Sequence, residues 1–197
     1  MSEYHSQSRF WLSNHFLNCV GSGRYKLPLG AFVVAFLRRA EASFRLHKLA
    51  RDATYELLGL RQPSPSHYGI ALMQWEGFLT QSYQGIALIV QIIQDLSRDS
   101  SYRAFRPNDG SIEQRLNLLY NSLKHVEKRI AAGQTLPGAI TPVWLSSTSL
   151  ECTDGVLTYD ETAEVLQILA DWADALVNPR ESPVKIRELV DSLHFAP

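Results

Sequence analysis

Asn121 and His125 are the two side chains of this sequence best spaced to do chemistry together. They lie in the run Arg115-Leu-Asn-Leu-Leu-Tyr-Asn-Ser-Leu-Lys-His125-Val-Glu-Lys-Arg-Ile130, which reads as one amphipathic helix. A spacing of four residues stacks them on one helical face, about one turn apart. An imidazole titrates close to neutrality and can give or take a proton. An amide one turn away can orient the ring and select its tautomer. Lys124, Lys128 and Arg129 add positive charge suited to an anionic ligand such as phosphate.

The same helix must also bury a face. Ile112, Leu116, Leu119, Leu123, Val126 and Ile130 recur in steps of four and three and make an apolar stripe. At about 100° per residue, Asn121 and His125 fall nearly opposite that stripe, beside Asn117, Leu118, Lys128 and Arg129. His125 is therefore expected outside the main packing face, on a surface that is either plainly solvated or a working site. Ser111-Ile-Glu-Gln114 has the spacing of a capping box and opens this helix, and Gly133 and Pro137 close it.

The elements that must position it are mainly helical. A first short helix is expected over 4–19, stopped by Gly21-Ser22-Gly23. A long helix runs from Leu29 to about Leu58. Its outer side carries Arg38, Arg39, Arg45, Lys48 and Arg51 with His47 among them. This reads as a solvated face or, if it shares a groove with His125, a phosphate-holding one. A third helix, from about Ser66 to Ser97, is apolar over much of its circumference and should be central.

After Gly133 the pattern changes. Val143-Trp-Leu and Leu150-Glu-Cys look extended, Thr153-Asp-Gly155 is a turn signal, and Val156 to Tyr159 is the returning strand. Asp160 is the expected N-cap of a helix from Glu161 to Val177. Asn178-Pro179 stops it, and a last helix runs from Ser182 through Leu193. The expectation is a mainly α protein, an up-and-down helical bundle with a small β-hairpin before the last long helix. It forms a single domain over 1–197, with the hairpin at about 143–159 and the C-terminal helices at about 161–193.

Composition removes several classes of function. In 197 residues, 45% are hydrophobic and 20% charged, as in an ordinary soluble globular chain. A net charge of -1 gives no global attraction to nucleic acid or acidic membranes, so any such contact needs a local patch. Cys19 and Cys152 are too few for a disulfide framework and are read as reduced thiols of a cytoplasmic protein. No signal peptide is expected, and Gly85 to Ile93, the most apolar run, is too short to cross a bilayer. The six histidines show no metal-ligand spacing, so no metal or cofactor is expected. There is neither a phosphate-binding glycine loop nor a serine nucleophile elbow.

The run Tyr120-Asn-Ser-Leu-Lys-His125 resembles the signature helix of HEPN domains, small and often dimeric helical bundles of bacterial toxin–antitoxin, phage-defence and CRISPR-associated systems. Active members are metal-independent endoribonucleases whose motif is an arginine, a polar residue, a few residues and a histidine. The resemblance implies that Asn121 is the polar residue and His125 the catalytic acid–base. It implies a composite RNA site between two protomers, and a cognate antitoxin or defence-system protein as a further partner. Tyr120 stands where the family has its arginine, and tyrosine supplies no positive charge. Lys124, Lys128 or Arg129 would then stabilise the phosphate, with Tyr120 lining the substrate groove. The same departure, with the near-zero net charge, leaves a second reading open: a catalytically silent helical module that binds a partner protein.

Overall fold

The structure is a computed structural model and describes residues 10–20, 23–133, 141–178 and 182–192. Residues 4–9 of the expected first helix, the stops at Gly21-Ser22, Pro137 and Pro179, and the end of the last helix at Leu193 lie outside these. The protein is mainly α, with a small antiparallel sheet before the last long helix.

Helices α2 (Leu29–Gly59) and α3 (Pro65–Ser97) form a long antiparallel hairpin. Polar side chains pin it at two levels. The Arg39 guanidinium donates to Gln81 Oε1 at 2.7 Å, and the Trp75 indole donates to Thr54 Oγ1 at 2.9 Å. As its composition requires, α3 is central. Trp75, Phe78, Leu79, Ile86, Ile89 and Ile92 are all fully buried, and α3 packs against α2, against α4 (Ile112–Lys124) and against α6 (Tyr159–Val177).

At Gly85 a side chain would bring its Cβ to 3.0 Å from Leu169 Cδ2, so this glycine lets α6 close onto α3. Farther along, α6 meets α2 where His47 Nε2 lies 3.1 Å from Thr162 Oγ1. Thr162 gives its own proton to the Tyr159 carbonyl, so His47 is the donor in this pair. The expected first helix is shorter: α1 covers Trp11–His15 and continues as a π-helical turn over Phe16–Val20. Trp11 Nε1 donates to Asp174 Oδ1 at 2.6 Å and the Leu12 amide to Glu41 Oε1 at 2.8 Å, which lays α1 across α6 and α2. The last helix, α7 (Ser182–Ser192), packs on α6.

The expected hairpin has a third strand. Strands β1 (Trp144–Leu145), β2 (Ser149–Cys152) and β3 (Gly155–Thr158) pair antiparallel in that order. The turn at Thr153-Asp154 falls where the sequence puts it. The extra strand is held from outside the sheet, because the Leu145 amide donates to Tyr68 Oη at 3.0 Å. The Trp144 indole also donates to Glu151 at 3.1 Å.

Two boundaries differ from expectation. The N-cap of α6 is Thr158 and not Asp160. Thr158 Oγ1 accepts from the Glu161 amide at 3.2 Å while the Glu161 carboxylate accepts from the Thr158 amide at 2.8 Å. That reciprocal box needs a Glu or Gln three positions after the cap residue, which Thr158 has in Glu161 and Asp160 lacks. Asp160 instead puts its charge in the first turn, where the helix dipole favours it. The second difference is the end of α4, and it falls at the candidate site.

Candidate functional site

Helix α4 begins as its sequence requires, with the Ser111 hydroxyl accepting from the Gln114 amide at 3.0 Å. Leu116 and Leu119 are fully buried, and Ile112 and Leu123 pack on the core at either end. Tyr120, half-buried, is engaged by a neighbouring helix. Its ring stacks on Tyr83 of α3 at 3.8 Å, and Tyr83 stacks in turn on Phe105 at 4.6 Å. Burial, helped by Tyr120, raises the Tyr83 phenol above its ordinary range. The three-ring ladder fastens α4 to α3. The opposite flank of α4 rests on the sheet, where Gly155 leaves room for Leu118: a Cβ there would lie 3.1 Å from Leu118 Cδ1.

The single helix expected through Ile130 is two. It breaks at His125, which has φ -110° and ψ 20°, and resumes as a short helix α5 (Val126–Ala131). Hydrogen bonds bridge the break: the His125 amide donates to the Asn121 carbonyl, and the Arg129 amide to the His125 carbonyl, each at 3.0 Å. One turn before the break the Ser122 hydroxyl donates back to the Leu118 carbonyl at 3.1 Å, a bond that bends helices. The apolar stripe ends early here: Val126 is half-buried and Ile130 is 62% exposed.

The predicted site residues are thus distributed differently from the helical wheel. His125 is half-buried at the break, and its imidazole has no hydrogen-bond partner among the described residues. Asn121 does not orient that ring: its amide donates to Asn117 Oδ1 at 2.9 Å. Arg129 is not a free phosphate ligand. It forms an ion pair with Asp154 at the sheet's turn and donates to Ser122 Oγ at 2.9 Å. Lys124 and Lys128 are exposed.

Several neighbours of the site carry no local signal in the sequence. Asp154 reads as a turn residue, yet it fixes Arg129. Arg115, at the start of the motif helix, pairs with Glu161 and donates to the Gly110 carbonyl, tying α4 to the start of α6. Between α3 and the junction of α4 with α5 lies a groove of about 510 Å³, lined in part by Met73, Glu76, Leu123 and Val126. Burial raises the Glu76 carboxyl above the usual carboxylate range.

The basic outer side of α2 is partly accounted for by structure. Arg39 is bonded to Gln81, and Arg51 lies 3.7 Å from Asp52. His47 is not on that side at all. It is buried, with Trp75 and Phe78 edge-on at 5.5 and 5.4 Å. Arg38, Arg45 and Lys48 remain exposed.

Among the described residues no three His, Cys, Asp or Glu side chains gather to hold a metal ion. Among them also, no helix is long and apolar enough to cross a membrane. No protein-family model, no curated protein and no solved structure matches this chain at a significant level.

Proposed function

We propose that this chain is a HEPN-like protein of a bacterial defence or toxin–antitoxin system, working in the cytoplasm. It binds RNA at the open face of the α4–α5 junction and cleaves it in a site completed by a second copy. The observation that carries the reading is His125 itself. It is a half-buried imidazole at a helix break, outside the core, without a described hydrogen-bond partner and next to the exposed Lys124 and Lys128. In this reading the two lysines meet the phosphates, His125 moves the proton, and a cognate antitoxin or defence-system protein covers the site when it is held inactive. Cys19 and Cys152, neither of them in a disulfide, suit a reducing compartment.

Charge reversal tests the RNA contact. The double variant Lys124→Glu, Lys128→Glu should bind single-stranded RNA at least about tenfold more weakly, alike for all sequences, with a salt dependence shallower by about one to two ions. Fluorescence anisotropy across a salt series measures both. RNA affinity unchanged by the double variant removes this face as the contact. The composite site has its own requirement, a dimer at micromolar concentration by light scattering; a clean monomer contradicts it.

A specific observation supports a second reading, the catalytically silent partner-binding module. The aromatic at the family's arginine position is occupied in a ring stack, and Arg129 of α5 is occupied by Asp154. A protein that dimerises but has no affinity for RNA fits this second reading.

A further inference from the structure

Another groove lies where the start of α2, the end of α3 and α7 come together. Its volume is about 600 Å³, within the range of pockets that hold small ligands. Five aliphatic side chains, Leu29, Ile93, Leu96, Ile186 and Val190, form half of its described lining. Ile93 is 1% exposed and belongs to the core, whereas Leu96 at the rim is 44% exposed.

Among the described residues, the charged side chains of the lining are Arg24 and Arg187, of one sign. Arg24 is held in place, with its guanidinium carbon 5.2 Å from the centre of the Tyr25 ring. That ring is fixed in turn by its hydroxyl, which donates to the Leu176 carbonyl at 3.0 Å. Arg24 has no acidic partner among the described residues, and its Nη1 is without an acceptor. Neighbours feel its charge: after burial, Arg24 is the second cause that lowers the basicity of His15, and it works against burial at the Cys19 thiol. The Ser97 hydroxyl is already committed to the Ile93 carbonyl at 2.8 Å.

We propose that this groove binds an aliphatic chain with an anionic head. The chain lies along the aliphatic wall and the head accepts hydrogen bonds from Arg24, with Arg187 at the mouth. Burying methylenes from water drives the chain inward, and the planar guanidinium fork suits both carboxylate and phosphate oxygens. Two sources share this chemistry, a free fatty carboxylate and a lipid phosphate. The inference does not depend on the RNA reading.

Titration calorimetry on the full chain at neutral pH, with decanoate, decyl phosphate and decanol each below its micelle-forming concentration, tests it. At least one anion should bind about tenfold or more tightly than decanol, and which one does so identifies the source. In Arg24→Gln the advantage over decanol should shrink to less than about twofold. Leu96→Trp, which fills the rim without touching Arg24, should weaken the favoured anion at least about fivefold, and it decides the matter if Arg24→Gln does not fold by circular dichroism. The proposal is overturned if neither anion binds or decanol binds as tightly as both. It is also overturned if the favoured anion's affinity is unchanged in folded Arg24→Gln or in Leu96→Trp.

Discussion

Replacing Trp75 by alanine should remove about 3–5 kcal/mol of folding stability, a large part of the roughly 5–15 kcal/mol that holds a domain folded. The indole is fully buried. Its ring meets His47 and Phe78 edge-on at 5.5 and 5.6 Å and stacks against Tyr159 at 5.2 Å, while its nitrogen donates to Thr54. These contacts join α2, α3 and α6, so the cavity would open where the three helices meet. Trp75→Phe isolates the polar part. It keeps most of the packing, and Thr54 remains satisfied because its hydroxyl donates to the Ala50 carbonyl at 2.7 Å. That variant should therefore lose only about 1–2 kcal/mol. Urea melts should show midpoints falling in this order at constant slope. A loss below about 1 kcal/mol for Trp75→Ala would mean that the three helices are not joined there.

His125→Ala should behave in the opposite way, with a large effect on RNA cleavage and little on stability. Its half-buried ring has no described hydrogen-bond partner and does not fill the core, so unfolding should change by no more than about 0.5 kcal/mol. If the imidazole takes the proton of a 2′-hydroxyl as that oxygen attacks the adjacent phosphorus, the bond from phosphorus to the 5′ oxygen breaks. The departing oxygen must then be protonated. Loss of such an acid–base group costs about 10²–10⁴ in rate. His125→Ala that unfolds under the same melts would instead place the ring in the packing, and the catalytic reading would lose its basis.

The parts of the fold that depend on local pattern could be read from the sequence. The length of α2 and α3, the central place of α3 and the turn at Thr153-Asp154 follow from apolar periodicity and turn chemistry alone. What escaped depends on contacts distant in the chain. Strand β1 falls in the segment read as extended, but its pairing with β2 and its tie to Tyr68, 77 residues away, leave no local signal. Tyr120 lies four after Leu116 and three before Leu123, at the edge of the apolar stripe, and only the approach of Tyr83 shows what takes its ring. His47 sits among charged residues in sequence, yet α6 covers it through Thr162.

The candidate site was legible in composition and not in shape. Asn121, Lys124, His125 and Lys128 do lie on adjoining turns, but the stripe continues in the sequence to Ile130 and gives no sign of the break. One turn before it, the Ser122 hydroxyl turns back on its own helix. The route of Arg129 is fixed by an aspartate 25 residues away. Pairing of Asn121 with Asn117 was equally available by spacing, since both i−4 and i+4 neighbours stack on a helix. The amide makes the bond on the unbroken side.

The most direct measurement is of end-labelled RNA incubated with the purified protein in excess chelator, with the His125→Ala protein alongside. The expected result is cleavage by the wild type, leaving 2′,3′-cyclic phosphate and 5′-hydroxyl ends, and none by the variant. Intact RNA across varied substrates, or cleavage that survives in His125→Ala, would contradict an RNA-cutting role for this imidazole.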